Sequence, residues 1–291
     1  MPEIGSPGAA NGVYMGSSLR CGAPKRRALI LDRSLRALRL TTALVGVACS
    51  VAALAPLLVA VPAPALAGTL YSYANGVDDA SPIVLNSDSQ LEVLNADAAT
   101  QSGMISETGG PWSVEKTGTG TLTLSGANTY SGGTTITAGT LTAASDSAFG
   151  TGPVTLAGGV LSLTGTHALA NAIGLSKLST IRFNTGAIGT LNGNITTNGQ
   201  ALTLDTLGTD ATGTINGDII GSSSLITKSG LGTVTVNGVI SGIGAGLAVT
   251  DGTIVLNGAN TYGGNTLLTH ATLVAGADKA FSTSRLLVMF D

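Results

Sequence analysis

The 291-residue chain is poor in charge, in aromatic rings, in histidine and in cysteine, and each shortage excludes something. Charged residues make up 10% of it, well below the ~25% of an ordinary soluble domain. One Trp, four Phe and five Tyr leave nothing bulky to fill a wide interior. A core must therefore be thin, regular and built from small aliphatic side chains. Both cysteines, Cys21 and Cys49, precede residue 68, so the remaining 224 residues carry no disulfide framework. The only histidines are His167 and His270. A Ser–His–Asp site needs a base beside its nucleophile. No Gly-x-Ser-x-Gly turn, no His-Glu-x-x-His pair and no cysteine-based zinc pattern accompanies them. Beyond residue 68 no long stretch has the 3.6-residue period of an amphipathic helix.

What charge there is divides unevenly. Residues 1–67 hold seven Lys/Arg against two acids, and residues 68–291 hold six against fourteen. The acidic part has no basic stripe to neutralise phosphates, which sets nucleic acid aside as a partner. The basic part runs from Arg20 to Arg39 and is followed by the uncharged stretch Leu40–Leu66, which ends in Ala65-Leu66-Ala67 before Gly68. Basic, apolar and small residues in that order predict a secretory signal peptide cleaved after Ala67. Pro56, Pro62 and Pro64 argue against the rival reading, an uncleaved spanning helix.

The remainder is rich in Gly, Thr, Ser, Asn, Val and Leu, and it repeats. Gly126-Ala127-Asn128-Thr129-Tyr130 recurs as Gly258-Ala259-Asn260-Thr261-Tyr262. The match continues at the same offset through Gly132/Gly264 to Phe149/Phe281, giving 14 identities in 24 residues. Upstream, Lys116–Leu124 resembles Lys228–Val236 at an offset of 112 instead of 132. The second copy thus carries 20 extra residues, roughly Val239–Gly258, and still resumes the pattern. A fold that accepts a whole inserted unit is a solenoid. Short alternating runs such as Thr121–Leu124, Val160–Leu163 and Thr253–Leu256 predict strands. Asn-Gly and Asp-Gly pairs at 192, 198, 216, 237, 251 and 257 predict turns of positive φ.

The expectation is an all-β, right-handed parallel β-helix of about 20 residues per coil and about eleven coils. Residues 68–113 form an N-terminal cap or the first coils, and 114–291 the helix proper, with repeats at 114–163 and 226–288. Between residues 164 and 225 the motif fades. One coil alone cannot offset the entropy of ordering it, so stability must come from stacking.

The string from Gly118 to Leu141, with its weaker copy at Gly252–Leu273, resembles the autotransporter-associated β-strand repeat of type V secreted passengers. The second copy departs from it at Asn265 and Ala271, which stand for Gly133 and Gly139. The resemblance implies export by the Sec machinery and display at the cell surface through a C-terminal outer-membrane β-barrel. No barrel-like run of amphipathic strands with aromatic girdles follows Tyr262, so the chain is expected to be a fragment, a truncated gene product or a passenger served by a separate barrel. Without one, the product stops in the periplasm.

No catalytic, cofactor or metal site is expected. His270 replaces Ala138 of the first copy, which marks a tolerant position, and His167 reads as a loop residue. Gly242-Ile243-Gly244-Ala245-Gly246 lacks the Lys-Ser/Thr of a phosphate loop. Asp205, Asp210 and Asp218 are spaced out of step with a coil, with Lys177 and Arg182 the nearest bases. The leading functional expectation is a non-catalytic scaffold that aids secretion. The alternatives are an adhesin that holds glycans or a host protein on its Thr/Asn/Ser ladders, and a β-helical carbohydrate-active enzyme.

Overall fold

The computed structural model describes residues 30–32, 39–41, 68–242, 244, 246–281 and 285–289. Ile30–Asp32 pairs antiparallel with Arg39–Thr41. The signal-peptide reading otherwise falls outside the described residues, Ala65 and Ala67 included. From Thr69 onward every pairing is parallel, and no helix occurs among the described residues. The fold is a parallel β-solenoid.

Each coil visits three sides in turn. Wall A has nine strands, from Thr69–Tyr73 to Ile240–Ser241, and wall B has eleven, from Asp78–Asp79 to Leu286–Met289. Wall C begins as the pair Ile83–Leu85 and Ile105–Glu107, then continues as six strands from Thr166–Leu169 to Ala271–Ala275. Registers such as Leu122↔Leu141 and Leu91↔Lys116 fix the coils at 19 to 25 residues. Residues 69–113 are wound in the same way as the rest.

Period-2 alternation produces these walls. In Thr121–Leu124 the leucines are buried and the threonines half-buried, and the same holds in Thr233–Val236. Register then stacks like on like. Leu122, Leu141, Leu161, Ile181 and Leu204 form one inward column on wall B, and each is fully buried. A buried leucine or isoleucine contributes roughly 1.5–3 kcal/mol, and the column shares that burial among neighbouring coils. The 20 extra residues of the second copy are one such coil, because Thr233–Val236 lies directly beneath Thr253–Leu256.

Two expectations need correction. His167 lies on a strand, Thr166–Leu169, not in a loop. The Asn-Gly pairs divide into two kinds. Asn198, Gly199 and Gly252 have positive φ, but Gly193, Gly217, Gly238 and Gly258 do not. At each of those four a Cβ would lie 2.2 Å from a carbonyl oxygen of the coil below. Three of these oxygens belong to the preceding glycine of the stack. Close approach between coils, not turn geometry, requires glycine there.

Gly238→Ala is therefore expected to destabilise the protein by about 1–3 kcal/mol through overpacking, read as a lower urea midpoint. Gly174→Ala, whose Cβ would meet nothing within 4 Å, is expected to change stability by less than about 0.5 kcal/mol.

Candidate functional site: the repeated asparagine corner

The repeated residues build one object twice. In the first copy Gly126–Tyr130 follows the wall B strand Thr121–Leu124 and occupies the wall C side. In the second, Gly258–Tyr262 follows the wall C strand Gly252–Leu256 and occupies the wall A side. The motif has moved round the solenoid by one wall, yet its bonds are the same. Asn128 Oδ1 accepts from the Ile105 N–H of the coil below at 2.7 Å, and Asn128 Nδ2 donates to the Ala148 carbonyl above at 2.6 Å. Asn260 repeats this with Ile240 at 2.7 Å and Ala280 at 2.6 Å. Both asparagines are buried. A primary amide has one acceptor and one donor end, as a peptide group has. It stands in the ladder where the backbone turns away.

Tyrosine secures the exit from the corner. Tyr130 and Tyr262 are fully buried, and their hydroxyls bond Thr134 at 2.6 Å and Thr266 at 2.8 Å. Burial pushes the Tyr130 hydroxyl well above its ordinary pKa. Phe149 is fully buried over the first corner, and Phe281 packs partly buried against the core at the second. The glycines permit close approach. A Cβ at Gly126 would lie 2.6 Å from Gly103 O, one at Gly132 2.3 Å from Trp112 C, and one at Gly258 2.2 Å from Gly238 O. Gly264 is buried as well. Where Ala271 replaces Gly139, whose φ is +64, the second copy gives the left-handed conformation to His270 instead, at +49.

The sequence reading missed the two lysines that open the motif. Lys116 continues the inward column Leu91–Lys116–Ile136, and Lys228 follows Leu204 in the column on wall B. Both are fully buried. Lys116 Nζ donates to the carbonyls of Thr117, Gly118 and Ala138 at 2.6, 2.9 and 3.4 Å. Lys228 Nζ donates to Ser229, Gly230 and Asp251 at 2.8, 2.7 and 3.2 Å, and to Thr206 Oγ1 at 3.2 Å. Gly118 and Gly230, each of positive φ, mark the corner whose carbonyls the ammonium collects. Alternation was the available signal, since Lys116 falls in step with Val114.

Other polar groups are held locally. Asp205 accepts from Arg182 Nε at 2.9 Å and from Ser229 Oγ at 3.1 Å. Asp218 accepts from the Val239 N–H at 2.8 Å. His167 Nδ1 lies 3.2 Å from Asp146 Oδ1 on the exposed surface. Among the described residues no three His, Cys, Asp or Glu are grouped to hold a metal ion.

The family model described as the passenger-associated-transport-repeat matches residues 114–143 and 251–275. No curated protein and no solved structure matches the chain. The first match spans Lys116 and the first corner, and the second begins at Asp251, within the extra coil, and spans the second corner. The protein is a parallel β-solenoid that carries two passenger-associated-transport repeats, and both features fit an autotransporter passenger.

Asn128→Ala leaves a buried N–H and a buried carbonyl unpaired, and is expected to cost about 2–4 kcal/mol, as is Asn260→Ala. Chemical denaturation of each variant measures this. Burial pulls the Lys116 and Lys228 ammonium groups down to about 8, against the opposing charges of Glu92 and Asp205. In the unfolded chain lysine titrates near ~10.4. Between these values the unfolded state binds more protons, so stability rises with pH from about 8 to about 10. Above that Tyr130, whose buried hydroxyl is held well above its ordinary pKa and ionises on unfolding, opposes the gain. The urea midpoint is expected to increase over that window in the wild type and to stay flat in Lys116→Met/Lys228→Met.

Proposed function

We propose that this chain is an exported autotransporter-type passenger segment, a non-catalytic β-helical scaffold that aids secretion and surface display. The observation that carries the reading is the corner used on two different sides. Each corner bonds the coil beneath it and receives the coil above, so a coil that arrives last completes its ladder on one already formed. A chain that emerges through a pore segment by segment needs that property. Coil-by-coil stacking also spares it any long-range closure, whose entropy cost slows folding. The acids support a scaffold role, because Asp205, Asp218 and Asp146 are each taken up in local bonds, to Arg182 and Ser229, to the Val239 N–H, and to His167.

On this reading Sec exports the chain, signal peptidase cuts between Ala67 and Gly68, and an outer-membrane β-barrel carries the solenoid to the cell surface. The test is expression with the native leader in a Gram-negative host that supplies a fused barrel. The expected product begins at Gly68 and is cleaved by protease added to intact cells, and Asn128→Ala/Asn260→Ala slows its appearance at the surface. A product that keeps residues 1–67 and stays in the inner membrane would overturn the proposal.

A further inference from the structure

Wall C carries a pattern that the repeat corners do not explain. Outward positions read Thr-x-Thr-x-Asn over Thr212–Asn216 and Thr233–Asn237. The same positions continue below as Ile188, Thr190 and Asn192, and above as Thr253, Val255 and Asn257. Register aligns them in straight columns, with Thr212↔Thr233↔Thr253 and Thr190↔Thr214↔Thr235. The Asn column is hydrogen-bonded to itself from coil to coil at 2.8, 2.8 and 2.7 Å. That ladder, with the glycine stack beside it, pins the coil spacing.

The surface so formed is periodic in two directions. Neighbouring coils repeat at about 4.8 Å, and alternate residues along a strand at about 6.6 Å. Thr, Val and Ile are stiff at χ1, so hydroxyls and methyls are held in fixed places. No charged side chain points outward from the six strands. The other walls differ, with Glu92 and Glu115 on wall A and the Arg182–Asp205 pair on wall B.

A periodic face fits a periodic partner. Wall C offers no aromatic ring on which a sugar could stack, and none of the Trp, Tyr or Arg anchors on which a protein interface depends. What it offers is a lattice of single hydroxyls, each able to donate and accept, spaced by methyl groups. The coil spacing lies close to the shorter oxygen repeat of hexagonal ice, and the alternate-residue spacing falls a little short of the longer one. We propose that wall C is an adsorption face for ice. The chain would bind the crystal through water ordered over the Thr and Asn columns, with little entropy lost because the array is already fixed. This inference does not depend on the route of export.

The test is made on the full chain, by thermal hysteresis, ice-crystal shaping and recovery from slowly growing ice. The wild type is expected to shape ice and to be enriched in it. Thr214→Lys/Thr235→Lys, which places two ammonium groups in the centre of the array, is expected to lose both effects. Thr227→Lys, on wall B, is expected to keep them. Circular dichroism checks that each variant retains its β-structure. If the double variant fails to fold, Thr235→Leu, neutral but too long for the lattice, takes its place with the same expected loss. A folded wild type that leaves ice growth unchanged overturns the proposal. So does activity that survives in Thr214→Lys/Thr235→Lys, or retention on insoluble cellulose or chitin without any effect on ice.

Discussion

A coil that turns a corner must interrupt its ladder of backbone hydrogen bonds, and each buried group left unpaired costs about 1–3 kcal/mol. This protein meets that constraint with side chains that imitate the backbone. The amides of Asn128 and Asn260 each take the place of a peptide group between two coils. Lys116 and Lys228 gather the carbonyls that face inward where the chain bends. Gln101 does the same in the lower coils, bonding Tyr73 and the carbonyls of Ser81 and Gly103. No buried side-chain nitrogen or oxygen among the described residues is left without a partner. The thin aliphatic core depends on this, because stacking shares hydrophobic burial only while the coils stay in register.

The same constraint gives the repeat its portability. Nothing in the asparagine corner refers to a particular wall; it requires a strand before it, a strand after it, an N–H below and a carbonyl above. It can therefore follow wall B in one copy and wall C in the other, over coils of unlike sequence. The whole second copy is displaced by one wall, with Lys228 on wall B where Lys116 is on wall A, and the extra coil inserted within it returns the chain to the wall it left, so the corner tolerates both changes. A secreted scaffold that is lengthened by whole coils would draw on this tolerance.

Much of this was legible in the residues. Alternation and self-similarity gave the solenoid, the coil length and the inserted unit. Asn128, Tyr130 and their counterparts stood out because they recur in register. Other features were hidden for physical reasons. A sequence match cannot say which wall a strand joins, so the rotation of the second copy was invisible. Asn-Gly is the usual signal for a left-handed turn, yet at Gly217 and Gly238 the glycine answers to a carbonyl in another coil. Lys116 looks like a surface residue until its place in a column of aliphatics is known. The fading of the motif between residues 164 and 225 also has a cause. The ring of Phe183 fills the space where a Cβ at Gly189 or Gly213 would stand, at 2.7 and 2.3 Å, and this packing replaces that of the repeat.

One corner serves two different sides, with Thr129 seated over the strand that contains Ser106 and Thr261 over the one that contains Ser241. Their backbones are joined by Thr129 N–H to Ile105 O and Thr261 N–H to Ile240 O, each at 2.9–3.0 Å. Pyrene attached to cysteines at 106 and 129, or at 241 and 261, in a chain with Cys21 and Cys49 replaced by serine, reports this directly. Excimer emission is expected from both pairs. Excimer emission from the first pair with only monomer emission from the second would contradict one corner serving both sides.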